Sequence, residues 1–433
     1  MHHYLNLNIR YQHPDGLRPN PRNPRVHGKR HVKQLADSMQ AFGFNIPIAV
    51  DDDNEVIAGH GRLAAAKLLK LTSVPTICLS HLDEQARLAY LVADNRLNDL
   101  SSWNDGGLAA IMVELSEAEL SFDLDAVGFS VAEIDLMVGL PEPRDKDEEL
   151  PVEGPTVAEA GEIYLLGDHV VICGSALDVE IYRNLMGRHL ANLIFADPPY
   201  NVPIRGHVSG LGKVKHREFK QGTGEQTEPQ FISFLERSMR NAADCSREGS
   251  LHIWAMDWRH QFELTVAARA VYTEQINLCI WTKNNAGMGS FYRSQHELFA
   301  IWRKGVAKHQ NNVELGRFGR SRSNVWSYPG ANSFGRASDE GNLLHAHPTV
   351  KPVALVADAI LDSTRRGDIV LDPFLGSGST LIACEKVGRR CRGIELDGAY
   401  IDLIIRRWQR WSGEKARRSD GVLFDDLEAA ARS

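Results

Sequence analysis

The sequence predicts an α/β protein in two parts: a large C-terminal unit built on a mostly parallel sheet covered on both faces, and a smaller α+β unit ahead of it. Three observations carry this reading. Beyond residue 160, apolar strand-length runs alternate with helical stretches, as a sheet with crossover helices requires. Residues 140–155, "LPEPRDKDEELPVEGP", are acidic, proline-rich and short of apolar side chains, and read as a linker. The chain has 433 residues and 43% hydrophobic content, enough for two or three cores.

The elements follow in order. A helix over Val32–Ala41 stops at Gly43; strands "IPIAV" and "EVIAG" flank the turn "DDDN"; helix "GRLAAAKLLK", strand "VPTICL" and a helix from about Leu82 complete the first unit. Next, "GFSVAEIDLMVGL" carries Ser130 as an N-cap, Glu133 three positions on, and Phe129 with Ile134 as a hydrophobic staple. Past the linker, "GEIYLLGDHVVICGS" reads as a hairpin turning at Gly167 and Asp168. Strand "ANLIFAD", a basic loop, a helix from about Glu228, strand "LHIWAM", a helix, and strands "INLCIWTK" and "HELFAIWRK" come next. A second basic loop, "HPTVKP", a helix, strand "DIVLD", the glycine loop "PFLGSGST", a helix, strand "RCRGIE" and a final helix close the chain. The two late, closely spaced strands suggest an antiparallel hairpin at one sheet edge. The expected boundaries are 1–105 for the α+β unit, 106–140 for a helical subdomain, 141–158 for the linker, 159–415 for the main domain and 416–433 for a tail.

Composition excludes several classes. The start "MHHYLNLNIRYQHPDG" has no basic and then apolar leader, and no run of 18 apolar residues occurs, so a cytoplasmic protein without a membrane partner is expected. Six scattered cysteines form no CxxC pair and no metal-ligand spacing appears; no metal is expected. The net charge of -7 conceals two basic loops. One carries Arg205, Lys213, Lys215, Arg217 and Lys220; the other carries Arg317, Arg320 and Arg322. Their position beside the motifs below makes them candidate DNA contacts.

Two motifs carry chemistry. In "DIVLDPFLGSGSTLIACEKVGRRCRGIELD", Gly376 and Gly378 let backbone approach a ligand at the top of the sheet, and Glu395 ends the next strand where it can accept ribose hydroxyls. A nucleoside cofactor fits, whereas a P-loop lysine and the third dinucleotide glycine are both missing. Strand "ANLIFA" then runs into Asp197-Pro198-Pro199-Tyr200. Two prolines leave carbonyl oxygens without neighbouring N–H groups, beside a carboxylate. Such acceptors suit an exocyclic amine, and Tyr200 offers a stacking face for its planar base.

Residues 160–415 resemble an amino-methylating DNA methyltransferase of the permuted β class, in which DPPY precedes FxGxG: Asp197–Tyr200, then His347–Pro352 ("HPTVKP"), then Phe374, Gly376 and Gly378. The resemblance implies a Rossmann-like mixed sheet with circularly permuted motif order, S-adenosylmethionine as cofactor and double-stranded DNA as partner, with a homodimer left open. It places Asp372, Phe374, Gly376, Gly378 and Glu395 on the cofactor, with Thr349 and Lys351 near its methionine end, and the target amine on Asp197 and the Pro198 carbonyl. Ser175 stands where relatives often carry an acid close to the cofactor adenine. Asp rather than Ser at the first DPPY position leans towards adenine N6 over cytosine N4. The N-terminal half resembles the ParB/sulfiredoxin-like domain through "GHGRLAAAKLL" and "ADNRL". Gly59, Gly61 and Arg62 are its candidate phosphate cradle, and the missing cysteine before His60 disfavours sulfiredoxin chemistry. A ParB-like DNA-binding regulator with an inactive methylase half, or an amine methylase acting on RNA or protein, are the competing readings.

Overall fold

The computed structural model describes residues 7–99, 103–118, 120–138, 151, 154–202, 226–283, 291–313, 322–328 and 350–432. Its contacts divide into two units, Met1–Gly139 and Leu140–Ser433.

The first unit holds β1 (Ile9–Gln12), β2 (Arg18–Pro19), α1 (Lys29–Phe42), β3 (Ile48–Val50), β4 (Glu55–Ala58), α2 (His60–Leu68), β5 (Val74–Cys78), α3 (Glu84–Asp99), α4 (Asp105–Glu117) and α5 (Val131–Val138). The sheet order is β1-β5-β3-β4-β2, and Ile48, Val50, Val56, Leu63, Ala66 and Val74 form a core on one face. The acidic turn between β3 and β4 is held by Asp51, whose Oδ1 accepts the N–H groups of Asp53 and Glu55 at 2.9 and 2.8 Å, while Asn54 takes a left-handed φ of 59°. Helix α1 begins three residues before the apolar periodicity does, because its first turn, Lys29-Arg30-His31, is polar. At α5 the expected capping box is present: Ser130 N–H donates to Glu133 Oε2 at 2.7 Å and Glu133 N–H to Ser130 Oγ at 3.3 Å.

The second unit contains β6 (Ile163–Leu166), β7 (His169–Cys173), α6 (Val179–Met186), β8 (Ala191–Ala196), α7 (Glu228–Asp244), β9 (Ser246–Met256), α8 (Gln261–Arg269), β10 (Glu274–Thr282), β11 (His296–Arg303) and β12 (Val325–Ser327). It ends with α9 (Val353–Ser363), β13 (Ile369–Asp372), α10 (Ser379–Val387), β14 (Arg390–Glu395), α11 (Gly398–Ser412), β15 (Arg417–Arg418) and α12 (Phe424–Arg432). The strand order is β12-β10-β11-β9-β8-β13-β14-β7-β6-β15. Strands β9, β8, β13, β14 and β7 run parallel, neighbour to neighbour, so their carboxyl ends share one rim. They are buried on both faces, which is why β8 reads as a continuous apolar run.

Several expectations need correction. Helix α6, capped by Asp178 on Glu180 N–H at 2.9 Å, went unseen because only eight residues carry its pattern. Strands β10 and β11 are antiparallel as expected, but β11 also pairs with β9 and β12 lies outside β10, so the edge strand came from within the second basic loop. Residues 416–433 are no tail: β15 pairs with β6 and Phe424 is fully buried against Tyr164, ring centroids 6.1 Å apart. The last two residues of the expected linker also belong to the fold, since Val157 and Ala158 N–H groups donate to the Asp402 carboxylate at 2.7 and 3.1 Å. Residues 141–150 lie outside the described residues.

Candidate active site

Strand β8 leads through α7 to β9 on one side of it, whereas β13 leads through α10 to β14 on the other. Crossovers therefore diverge between β8 and β13, and an open α/β sheet has its binding crevice at such a switch point, beyond the carboxyl ends. Both motifs sit there. Val370 and Leu371 of β13 pair with Leu193 and Ile194 of β8, which sets Asp197–Tyr200 beside the glycine loop although 175 residues separate Asp197 from Asp372 in sequence. Glu395 ends β14, next along the rim, and Ser175 follows β7, where Gly174 N–H donates to the Glu395 carbonyl at 2.8 Å.

Asp197 is the centre of a buried polar cluster. Its Oδ1 accepts the Tyr200 hydroxyl at 2.6 Å, and its Oδ2 accepts Lys351 Nζ at 2.5 Å. Lys351, 4% exposed, also lies 3.0 Å from Glu297 Oε2 on β11, and the Tyr200 oxygen sits 3.1 Å from that same carboxylate atom. Lys283, just past β10, donates to Glu297 Oε1. Burial opposes ionisation of Glu297, but Lys351 and Lys283 outweigh it and hold its carboxyl at about 2. Burial pushes Asp197 upward, with Lys351 pulling back and the charge of Glu297 adding to the rise. Lys351 is raised: burial lowers it, and the two carboxylates more than compensate. The sequence placed Lys351 at the cofactor; the structure places its ammonium on the DPPY carboxylate. Asn201 follows in a left-handed φ of 54° and clamps residue 226, donating to Gln226 O at 2.8 Å and accepting its N–H at 3.2 Å. This fixes the two ends of the first basic loop.

The glycine loop is organised by Asp372, which accepts Phe374 N–H at 2.9 Å and the Thr380 hydroxyl at 2.6 Å. Buried to 2% exposure, it braces the loop from beneath rather than lining the crevice. Phe374 is likewise a wall, its ring 5.9 Å from that of Phe234 and 6.3 Å from Trp254. Glu395 Oε2 accepts Gly376 N–H and its Oε1 accepts Asp397 N–H, both at 2.9 Å. Burial pushes both Asp372 and Glu395 up to about 7. Ser175 Oγ accepts Leu177 N–H at 3.2 Å, the hydrogen bond of a turn entering α6.

The Glu395 shift has a stability consequence. Because the folded state holds its proton up to about pH 7 and the unfolded chain only to the ordinary range near 4.5, stability falls as pH rises between those values and levels above. Glu395→Gln removes that dependence. The variant's unfolding free energy relative to wild type should therefore grow by about 2–3 kcal/mol from pH 5 to pH 8 in denaturant titrations of the cofactor-free protein.

The charged loops fare unevenly. Arg205, Lys213, Lys215, Arg217, Lys220, Arg317, Arg320, and with them Thr349 and His347, lie outside the described residues. Arg322 is no free DNA contact: its guanidinium bridges Asp362 at 3.0 Å and Asp358 at 2.9 Å on α9 and donates to the Tyr328 hydroxyl at 2.8 Å. The two acids stand one helical turn apart, so one arginine reaches both and fastens the chain ahead of β12 to α9. Arg322→Ala should cost about 1–2 kcal/mol by removing the cation that two half-buried acids share, read as a lower Tm, with the salt dependence of DNA binding unmoved.

In the first unit, Gly59 takes φ of 101° ahead of α2, and a Cβ there would meet the Arg62 guanidinium at 3.0 Å. His60 Nε2 accepts Asn20 N–H at 3.2 Å, and the His27 ring stacks on His31 at 5.3 Å. Burial pulls Arg62 downward, against the attraction of Asp94 and Tyr90. Gly59, Gly61 and Arg62 thus share one strand-to-helix turn with imidazoles around it. Among the described residues of the chain, no group of three or more His, Cys, Asp or Glu is placed to hold a metal, and no helix is long and apolar enough to cross a membrane.

A permuted α/β sheet with DPPY and a glycine loop at its switch point defines a DNA methylase, and the chain belongs to the N6/N4 DNA methylase family: residues 191–406 match the model of that family and residues 5–95 match the ParB N-terminal domain. Among particular relatives, the type II methyltransferase M2.MboI of Moraxella bovis is 25% identical over 225 residues, 50% of this chain and 80% of that protein. The ParB-like nuclease domain-containing protein YnaK of Escherichia coli K12 is 46% identical over 80 residues, 18% of this chain and 92% of that protein. The crystal structure of the M1.HpyAVI–SAM complex superposes with a TM-score of 0.38 at 20% identity, covering 55% of this chain and 98% of that one.

Proposed function

We propose that the protein transfers the methyl group of S-adenosylmethionine to adenine N6 in double-stranded DNA. The observation that carries this is the adjacency of Asp197 and the glycine loop at the carboxyl ends of neighbouring strands, β8 and β13: an amine acceptor and a nucleoside cradle face one crevice. The donor set fits the cofactor. Gly376 and Gly378 adopt φ of 54° and 84°, leaving the loop backbone without side-chain bulk. The Glu395 carboxylate, with one N–H on each oxygen, retains lone pairs for two ribose hydroxyls. Those hydroxyls favour the ionised carboxylate, so cofactor affinity should weaken as pH falls below about 7. Bound there, S-adenosylmethionine supplies an electrophilic sulfonium methyl.

The chain's own residues do the rest. Asp197 and the Pro198 carbonyl accept the two amine hydrogens and orient the nitrogen lone pair. Positive charge growing on that nitrogen is stabilised by the Asp197 carboxylate, which also holds the proton the nitrogen releases. Tyr200 stacks on the base, which must leave the duplex to reach a site walled by buried side chains. Aspartate rather than serine at position 197 supports adenine over cytosine. The first unit serves as a DNA-contacting accessory domain, with the Gly59–Arg62 turn as its phosphate cradle. Digestion of labelled DNA to nucleosides tests the base assignment: label migrating with N6-methyladenine is expected, and label migrating with N4-methylcytosine overturns it.

A further inference from the structure

We infer that Glu297 is a positioning residue of this site: acting through Lys351, it keeps the target-amine pocket negative. The inference rests on the proposed amine-methylating function. With Asp197 and Lys351 alone, 2.5 Å apart, the pocket would present a neutralised pair to a nitrogen that gains positive charge, and a neutral pair stabilises that charge poorly. Glu297, buried at 8% exposure, supplies a second carboxylate 3.0 Å from the same ammonium. Three charges then leave one net negative charge, and Asp197 keeps its pull on the amine. Lys283 pairs with Oε1, the other oxygen of Glu297, while the charges that act on Asp197 most strongly are those of Lys351 and Glu297.

The second observation is the placement of Glu297 itself. It is the second residue of β11, ahead of the apolar Leu298, Phe299, Ala300 and Ile301, and burying a charge there costs free energy unless it is paired. Besides Lys283, its partners are the two residues that hold Asp197: Lys351 and the Tyr200 hydroxyl, 3.1 Å away. The groups facing Asp197 are Lys351 ahead of α9, Tyr200 on its own segment, Glu297 on β11 and Asp372 on β13. Of these, Glu297 is the carboxylate that shares the Asp197 cation.

The test uses the 433-residue chain on duplex DNA, with Asp197→Asn as the control that separates failure of the inference from failure of the proposed function. Glu297→Gln keeps shape and hydrogen-bonding capacity while removing the charge. Its kcat should fall about 10- to 100-fold with cofactor and DNA affinities within about twofold of wild type, and Glu297→Asp should recover part of the loss. The acid limb of the kcat profile should also move to lower pH, because Asp197 no longer ionises beside a second negative charge. Lys283→Met, which strips the cation from Glu297 Oε1, should move that limb the opposite way, and it serves as the independent reading if Glu297→Gln is too unstable to assay. Unmoved acid limbs in these variants, or a Glu297→Gln enzyme with wild-type kcat, would overturn the inference while wild-type transfer and its loss in Asp197→Asn upheld the proposed function. A wild-type protein that transfers no methyl to DNA would overturn both.

Discussion

Asp197→Asn should lower kcat by about 10³-fold while S-adenosylmethionine binding stays within about threefold of wild type. The change is nearly isosteric, so the fold stays intact, and the carboxamide can still meet the Tyr200 hydroxyl now on Oδ1. It loses the charge that stabilises the attacking nitrogen and the site that receives the proton. It also leaves Lys351 with Glu297 as its counter-ion, so the buried ammonium stays compensated and the stability cost is small. Single-turnover transfer with saturating cofactor reads the chemical step alone. A rise confined to KM would instead assign Asp197 to DNA binding.

The second large effect falls on the cofactor. Gly378 precedes α10 with a φ of 84°, and a Cβ built there would stand 3.1 Å from Ile404 Cγ1. A β-branched side chain meets both penalties at once: the left-handed conformation and a close approach to a fully buried isoleucine on α11. Gly378→Val should therefore displace the loop, weaken cofactor affinity by about 100-fold or more, and lower stability by about 2–3 kcal/mol. Equilibrium dialysis of labelled cofactor together with a thermal melt separates the two losses. Gly161→Ala, at a left-handed glycine with nothing within 4 Å of its Cβ, should cost stability without touching affinity.

What the sequence made legible was whatever is written contiguously. The glycine loop and DPPY each occupy a few consecutive residues whose backbone demands are strict, and the alternation of apolar strands and helices fixed the layers. The hairpin at Gly167, the capping box at Ser130 and the strands bearing both motifs stand where the pattern put them. Less visible were partners distant along the chain. Lys351 lies 154 residues from Asp197, and Glu297 lies 97 from Tyr200; no local pattern links them. The available signal was a charged residue at the head of the apolar run "LFAI" in β11. Arg322 misled because a basic loop suggests phosphate, whereas Asp358 and Asp362, four positions apart on α9, formed the complementary half of a half-buried ion pair. Short elements escaped for want of length: β12 has three residues and β15 two. Phe424 looked like part of a polar tail, yet one buried ring is enough to dock the final helix.

In the proposed function the Asp197 carboxylate and the glycine loop form one amine-methylating site for DNA. Its most direct test is transfer of radiolabelled methyl from S-adenosylmethionine into mixed-sequence duplex DNA by the wild-type protein, with RNA and bulk protein offered in parallel. Label should enter DNA and neither of the other acceptors, and its transfer should fall about a thousandfold with Asp197→Asn. Cofactor binding accompanied by label in RNA or protein alone, or by no transfer to any acceptor, would contradict the proposed function.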